Sequence, residues 1–276
     1  MDSPVTAPSA APPIQPAPPL QPAQVVYLSQ LALDLRRRSV WRLLGDTYAL
    51  HRWVLTAFPE AHEGGAGRVL FRVESGKGEA KMLVQSSVRP DWSRLHGGDD
   101  LLRGAALGPK AWRLYGDDGA PIFVAGQRLR FRLRASPSYR CSRDDAPGQG
   151  HRKKGKRYGL VTRPEQADWL VRKGAQHGFA LPMVPSGSDW LDPFSDLLDL
   201  DRPETRFDVR VTPLERLHGI KPAAEAHQKE HRLTHLGVDF DGTLTVTDPH
   251  RFAAAVAGGI GAAKGFGFGL LSLARL

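Results

Sequence analysis

The chain has 276 residues, 41% of them hydrophobic, which is enough for one large domain or two ordinary ones with a substantial core. Its net charge of +9 at pH 7 and its pI of about 9.9 favour an anionic partner, nucleic acid before membrane, over the alternative of a basic but inert surface. The single cysteine, Cys141, excludes a disulfide framework and a thiolate metal site, and it fits a reducing cytoplasm.

Residues 1–24 are rich in proline and alanine and contain no basic segment followed by an apolar one. They therefore indicate a disordered tail rather than a signal peptide. The whole sequence has no uncharged apolar run of about 18 residues, so no membrane contact is expected. Order is expected from Val25, because residues 25–35 alternate in character and are rich in β-formers, which predicts a first strand.

The first informative helix is predicted between Asp46, a good N-cap, and Pro59. Four apolar residues at helical spacing form one core stripe: Leu50, Trp53, Val54 and Ala57. Tyr48 and His51 lie off this stripe, and residues three apart are neighbours on a helix surface. His51 is therefore a candidate catalytic residue, with an ordinary solvent-exposed histidine as the open alternative.

Residues 68–73 and 81–85 predict two strands joined by a hairpin, and the strict alternation of residues 127–134 predicts another strand. One face of that strand carries a row of arginines: Arg128, Arg130, Arg132 and Arg134. A guanidinium binds two phosphate oxygens at once, so this face is a candidate nucleic-acid contact, with a charge-balanced, solvated face as the alternative. Strand, helix, hairpin and strand form the order of a ferredoxin-like half.

A loop rich in proline and glycine at 136–152 predicts a domain boundary, with an N-terminal unit at 25–140 and a C-terminal unit at 141–276. A basic run that contains Lys156 and Arg157 follows. The later predicted elements are strands at 158–162, 179–184, 207–211 and 235–246, helices at 164–177 and 249–256, an acidic insertion at 186–204 and a turn at Asp241-Gly242. This order again approximates βαββαβ.

A glycine-rich loop, residues 258–271, leads from the last helix into an apolar terminal strand. Gly259, Gly261 and Gly267 allow positive φ and close approach of the backbone, and Lys264 adds a positive charge. These features predict a loop that cradles phosphate. A dinucleotide site is excluded because the third glycine of its motif is missing and the loop follows a helix.

Residues 238–244 match the first motif of haloacid-dehalogenase-type phosphatases, with Asp239 in the place of the nucleophile and Asp241 in that of the acid. That motif opens a doubly wound domain, and too few residues follow Leu244 for the necessary crossovers. A hairpin with an Asp-Gly turn is the preferred interpretation.

Taken together, these segments resemble the CasE family, the type I-E CRISPR-associated endoribonucleases. The glycine-rich signature is the most specific of them, and the resemblance runs in order from about Val25 to the C-terminus. The matching segments are 27–33 with the first strand, 46–52 with the helix and its Tyr-x-x-His pair, 68–72 with the next strand, 127–137 with the arginine-rich strand, 155–157 with the basic turn and 259–271 with the signature.

The resemblance implies an α+β fold of two tandem ferredoxin-like domains with a C-terminal glycine-rich loop. It also implies cleavage of the CRISPR precursor transcript 3′ of a repeat hairpin, without a metal or other cofactor. The 2′-oxygen would attack the adjacent phosphate and leave a 2′,3′-cyclic phosphate. The implied partners are repeat RNA or crRNA and the other subunits of Cascade. The alternative is a non-catalytic subunit that only holds RNA.

Within that reaction, His51 is expected to move the proton, as base or acid, because its pKa lies near neutrality. Tyr48 is expected to orient the 2′-hydroxyl or the phosphate, and Lys156 to stabilise the phosphorane charge. The glycine-rich loop is expected in the cleft between the domains. The expected RNA-binding residues are Arg128, Arg130, Arg132, Arg134, Arg157, Gly259, Gly261, Lys264 and Gly267.

Overall fold

The computed structural model describes residues 24–58, 67–76, 78–141, 155–185, 205–214, 216–221 and 231–276. The expected tail up to residue 23 and the expected insertion at 186–204 lie outside these ranges. The elements in chain order are β1 (Val25–Leu33), α1 (Arg38–Gly45), α2 (Thr47–Leu55), β2 (Val69–Gly76), β3 (Glu79–Ser86), α3 (Gly98–Leu101), β4 (Leu107–Arg113), β5 (Arg128–Ala135), β6 (Ser138–Arg140), β7 (Arg157–Gly159), α4 (Arg163–His177), β8 (Phe179–Ala180), β9 (Met183–Pro185), β10 (Thr205–Phe207), β11 (Val209–Pro213), β12 (Leu217–Lys221), β13 (His231–His235), β14 (Val238–Val246), α5 (Pro249–Gly258) and β15 (Leu271–Arg275). Within the described ranges, no helix is long and apolar enough to cross a membrane.

The first sheet has the strand order β2-β3-β1-β4, with all neighbours antiparallel. The first and third strands of the chain path are central, as in a ferredoxin-like unit, and α2 packs on the sheet. The predicted helix stripe is confirmed, because Leu50, Trp53, Val54 and Ala57 are all buried with Phe71 and Met82 in one core. Short helical turns, including α3, take the place of the second helix.

The second sheet has the order β11-β14-β5-β15, and β8 also pairs with β14. The first and third strands of its βαββαβ path, β5 and β14, are again central, and α4 and α5 contribute to its core. The α+β fold of two tandem ferredoxin-like units, predicted from the sequence, is therefore confirmed. Helix α4 begins with a capping box between Thr162 and Glu165, which fixes its first turn.

The arginine-rich strand β5 lies in the second sheet, where it pairs with β14 on one side and β15 on the other. It was expected as the last strand of the N-terminal unit, at 25–140. The alternation of apolar residues and arginines predicted a strand with one buried face, but it could not predict which strands pair with it. The change from one sheet to the other therefore falls between Arg113 and Arg128, ahead of the boundary expected at residue 141.

Strand β14 runs unbroken through Asp241-Gly242, so the turn predicted there is wrong. The glycine serves a close approach instead, because a Cβ at Gly242 would lie 2.1 Å from the carbonyl oxygen of Asp208. Gly242 is therefore required by the close approach of two backbone segments and not by a turn. The preceding β13 is a separate strand that pairs with β12.

A buried arginine joins the two units. Arg72 of β2, whose side chain is 1% exposed, donates to the carbonyl oxygen of Leu270 at 3.2 Å and to Ser272 Oγ at 2.9 Å in the second unit. Glu74 neutralises it at 2.8 Å. Gln85 adds a bond of 2.6 Å to the carbonyl oxygen of Val256. The bonds from Arg72 hold the end of the glycine-rich loop against β2, and the bond from Gln85 joins β3 to α5.

Replacing Arg72 with alanine is expected to lower the free energy of unfolding by about 3 kcal/mol or more, because it leaves buried acceptors without a donor. Denaturant unfolding measures this change. Arg36→Ala is the matched control, since that arginine also pairs with an acid, Asp34, but its side chain is 79% exposed. Equal losses of stability in the two variants would contradict the role of buried Arg72 in joining the two units.

Candidate active site

His51 lies on α2 beside the glycine-rich loop. Its ring stacks on Phe71 at 6.3 Å between centroids, and Phe266 of the loop is 6.5 Å away. A Cβ added to Gly265 would be 3.4 Å from the His51 ring. The loop therefore forms one wall of a half-buried histidine site.

The loop sits between the two units, as expected from the sequence. A Cβ at Gly259 would lie 2.8 Å from Leu70 of the first unit, and one at Gly261 would lie 3.2 Å from Trp169 of α4. Within the loop, the amide of Ile260 donates to the carbonyl oxygen of Gly269 at 2.9 Å. Ala263, with φ of 57°, leads into a 3₁₀ turn at Lys264–Phe266. This turn places Gly265 next to His51, while the Lys264 side chain lies against Gly269.

Two of the loop glycines expected to bind RNA have a packing role in this structure. Gly259 and Gly267 are buried, and both adopt positive φ, which favours glycine. A Cβ at Gly267 would lie 3.2 Å from the Phe71 ring. Only the half-buried part of the loop, including Gly261 and Lys264, remains open to a ligand.

Burial lowers the pKa of His51 below its ordinary value of 6.5. The imidazole is therefore neutral at pH 7. Its Nδ1 atom is buried and has no hydrogen-bond partner among the described residues. Nε2 is the ring nitrogen left for a substrate, and a neutral imidazole there can accept a proton.

Tyr48, one turn before His51, is held by a hairpin that was not predicted from the sequence. The N-cap Asp46 accepts hydrogen bonds from the amides of Tyr48 and Ala49, at 3.0 and 3.2 Å, and also from Ile220 of β12 at 3.1 Å. Thr47 Oγ1 donates to the carbonyl oxygen of His218 at 2.9 Å. The β12–β13 hairpin thus fixes the first turn of α2.

His235, at the end of β13, is a further histidine that the sequence did not single out. Its ring lies 4.8 Å from the Phe266 ring, on which His51 also packs. Burial lowers the pKa of His235 as well. No motif or spacing links it to His51, because the contact depends on where the hairpin packs.

Lys156, the expected charge stabiliser, is exposed in the turn before β7. Its Nζ atom lies 5.9 Å from the Tyr158 ring, and its carbonyl oxygen accepts from the amide of Cys141 at 3.0 Å. None of its described contacts reaches Tyr48 or His51. Part of the basic run, residues 151–154, lies outside the described residues.

The four arginines of β5 divide into two pairs. Arg134 forms a bidentate pair with Asp239 at 2.7 and 2.8 Å, and Arg132 pairs with Asp241. For these two the charge-balanced alternative holds, because the neighbouring β14 supplies acids in register, and RNA binding by the four arginines stays a prediction. Both aspartates of the phosphatase-like string are engaged in these ion pairs. Arg128 and Arg130 are exposed and form no ion pair with the described residues.

A group of cations lies near Lys264 and Lys173. Burial, Arg68 and Lys173 all lower the pKa of Lys264, and burial, Arg157 and Arg172 lower that of Lys173. Lys173 Nζ also lies 6.0 Å from the centre of Trp169, which contacts Gly261. No acid among the described residues pairs with Lys264 or Lys173. We call Arg68, Arg157, Arg172, Lys173 and Lys264 the cation cluster; its repulsion is relieved by an anion.

Within the described ranges, no group of three or more His, Cys, Asp or Glu side chains could hold a metal ion. Two ferredoxin-like units, with a half-buried histidine against the loop that carries Lys264, define a protein suited to proton transfer at a bound polyanion. A family model described as CRISPR associated protein matches residues 26–275. The CRISPR-associated endoribonuclease Cse3 of Thermus thermophilus is 32% identical over 251 residues, which cover 90% of this chain and 100% of Cse3.

Solved structures agree with this match. Thermus thermophilus Cse3 bound to an RNA representing a pre-cleavage complex has a TM-score of 0.64 and 30% identity, over 91% of this chain and 99% of that one. Cas6e from Escherichia coli K-12 has a TM-score of 0.52 and 22% identity, over 91% of this chain and 100% of its own, which shows the shared fold. The chain belongs to the Cse3, or CasE, family of CRISPR-associated endoribonucleases, so both the resemblance and the enzyme class expected from the sequence are confirmed.

Proposed function

We propose that this protein binds the hairpin of a CRISPR repeat and cleaves the precursor transcript on the 3′ side of that hairpin. The ribose 2′-oxygen forms a bond to the adjacent phosphorus and the bond to the 5′-oxygen breaks. The products carry a 2′,3′-cyclic phosphate and a 5′-hydroxyl. The protein then stays on its product as a subunit of Cascade in the cytoplasm, and the reaction uses no metal or other cofactor.

The observation that carries this proposal is the neutral His51 one helical turn from Tyr48 and against the lysine-bearing loop. His51 Nε2 takes the proton of the 2′-hydroxyl, and Tyr48 orients that hydroxyl or the phosphate. Lys264, next in the chain to Gly265, supplies positive charge near the phosphorane. The leaving 5′-oxygen takes its proton from solvent.

The cation cluster and the two unpaired arginines of β5 supply the proposed contacts to RNA phosphates. Arg128, Arg130, Arg157 and Lys264 come from the expected set, while Arg68, Arg172 and Lys173 join it because of their place in the cluster. RNA contacts by Arg132, Arg134 and the loop glycines stay predictions. Lys156 stays a prediction as the stabiliser of the phosphorane. RNA helices are read largely through their shape and backbone, which suits such contacts.

Cleavage of a cognate repeat RNA in EDTA, with and without a 2′-deoxy substitution at the scissile nucleotide, tests the reaction. We expect cleavage of the unmodified RNA in EDTA, and none of the 2′-deoxy RNA, which should still bind. Loss of cleavage in EDTA would contradict the metal-independent route. Binding without cleavage of the unmodified RNA would favour the second candidate, a subunit that only holds RNA, which the same cation cluster would serve.

The lowered pKa of His51 predicts the pH profile of cleavage. The neutral imidazole is the active form of a base, so kcat/KM should be constant above the folded-state pKa and fall tenfold per pH unit below it. Since burial lowers that pKa below 6.5, activity at pH 7 should lie closer to this plateau than an ordinary histidine would allow. Single-turnover rates between pH 5 and 8 measure the profile. A rate that rises as the pH falls would show that His51 acts as an acid.

The β12–β13 hairpin should affect catalysis through α2. Thr47→Val removes the bond to His218 with little change in volume, so Tyr48 and His51 should lose their exact placement and kcat should fall roughly tenfold. RNA affinity should stay unchanged. Thr47→Ser keeps the hydroxyl and is the matched control. Equal kcat values in the two variants would remove this positioning role.

A further inference from the structure

Helix α1, directly before the candidate catalytic helix, exposes a tryptophan among arginines. Trp41 is 58% exposed, the indole being fixed by a hydrogen bond of 2.8 Å from Nε1 to the carbonyl oxygen of Leu35. A large aromatic face held rigid in solvent is unusual for a helix whose buried residue is Val40. The ring is thus presented before any ligand arrives.

Positive charge surrounds this ring. Arg38 precedes Trp41 by three residues, so the two are neighbours on the helix surface, while Arg37 is the N-cap of α1 and Arg42 follows Trp41. Arg38 and Arg42 form no ion pair with the described residues, whereas Arg36 and Arg37 both pair with Asp34. We call Trp41 with these three arginines, Arg37, Arg38 and Arg42, the Trp41 platform.

The platform borders an open cleft of about 500 Å³, lined by Arg37, Arg38, Ser39, Gly97, Asp100 and Leu101. Among the described lining residues, Arg38 is a cation without an ion pair. The combination of a flat aromatic face and unpaired cations suits a base and its phosphate, since bases of any sequence stack on aromatic rings.

The platform lies close to the reacting phosphate of the proposed function. Only Asp46 separates α1 from α2, and a helical rise of 1.5 Å per residue keeps the Cα atoms of Trp41 and His51 within about 20 Å. In the proposed reaction, the paired stem lies on the 5′ side of the scissile bond. A duplex hides its base faces, so a strand that stacks on Trp41 must be unpaired.

We propose that the Trp41 platform binds the unpaired RNA strand on the 3′ side of the scissile phosphate, by stacking a base on Trp41 and holding phosphates with Arg38 and Arg42. This inference rests on the proposed function for the position of the strand. It adds a site for single-stranded RNA outside the cation cluster and the row of arginines on β5.

Two uncleavable RNAs with a 2′-deoxy scissile nucleotide test it, one ending at the scissile phosphate and one extended past it. Trp41→Ala should weaken binding of the extended RNA roughly tenfold and leave the shorter RNA unchanged. Trp41→Phe, which keeps an aromatic face, should restore most of the affinity. Arg38→Ala should reduce the salt dependence of binding only for the extended RNA.

Unchanged affinity of Trp41→Ala for the extended RNA, or an equal loss with both RNAs, would overturn the platform. If Trp41→Ala bound another protein subunit more weakly and kept its RNA affinity, this surface would be a protein-binding site, and the proposal of an RNA site would be wrong. Val124→Ala, at an apolar side chain that is 67% exposed in the connection between β4 and β5, is the control for loss of exposed apolar surface. If the wild-type protein did not cleave the unmodified repeat RNA, the proposed function would be wrong. The test of the Trp41 platform would still stand, because it measures binding of uncleavable RNA.

Discussion

His51→Ala is expected to slow cleavage of the repeat RNA by about 10²-fold to 10⁴-fold, the range for removal of a general base. The residue is half-buried off the core stripe of α2, its neutral imidazole lies against Gly265, and its Nε2 atom is open to a substrate. RNA affinity should change little, because the neutral ring contributes no charge to phosphate binding. Single-turnover cleavage and equilibrium binding separate the two effects.

A second histidine provides the matched control for this experiment. His250 on α5 is exposed and packs near Tyr115, away from the glycine-rich loop. His250→Ala should therefore cleave at the wild-type rate. Near-normal cleavage by His51→Ala would remove its assignment as the base, and His235→Ala would be the next variant to measure because that ring shares Phe266 with His51.

The helix that carries the candidate catalytic pair could be predicted because all its determinants are local. Asp46 caps the helix as expected, and the apolar stripe at helical spacing is buried as expected. The helical spacing also predicted that Tyr48 and His51 lie outside this apolar stripe. Likewise, the alternation of β5 predicted which of its faces is buried, and the structure shows that face in the core.

The partners of these elements could not be predicted, because they depend on contacts between distant segments. The acids that neutralise Arg132 and Arg134 come from β14, and alternation within β5 carries no information about its neighbours. The segment around Asp239 and Asp241 thus matched a phosphatase motif in sequence, although in the structure both aspartates form ion pairs with β5. The cation cluster is also invisible in sequence, since Arg68 and Lys173 belong to different units.

Lys264→Glu is expected to weaken binding of the repeat RNA by about 100-fold at moderate salt. Lys264 lies in the cation cluster, where burial and the charges of Arg68 and Lys173 already lower its pKa, so it has no acid to release when RNA binds. The substitution removes one phosphate contact and adds repulsion at that contact. Lys264→Met isolates the first of these effects, and the slope of log K against log salt should fall by about 0.7 for a single-stranded contact or 0.9 for a paired one.

The control for a charge change on the surface is Arg113→Glu, since Arg113 is 68% exposed, pairs with Asp117 and lies on β4 outside the cluster. If both charge reversals weakened binding equally, the net charge of +9 would explain the affinity and the cluster would have no special role. A second outcome is that Lys264→Glu weakens binding and Arg113→Glu does not. If the loss in the Lys264→Glu/Lys173→Glu double variant were then smaller than the sum of the two single losses, the two lysines would bind one RNA segment, since coupled residues depart from additivity. That result would place the RNA backbone over α4 and the glycine-rich loop together, which directs the scissile phosphate to the wall of the loop at Gly265 and hence to His51.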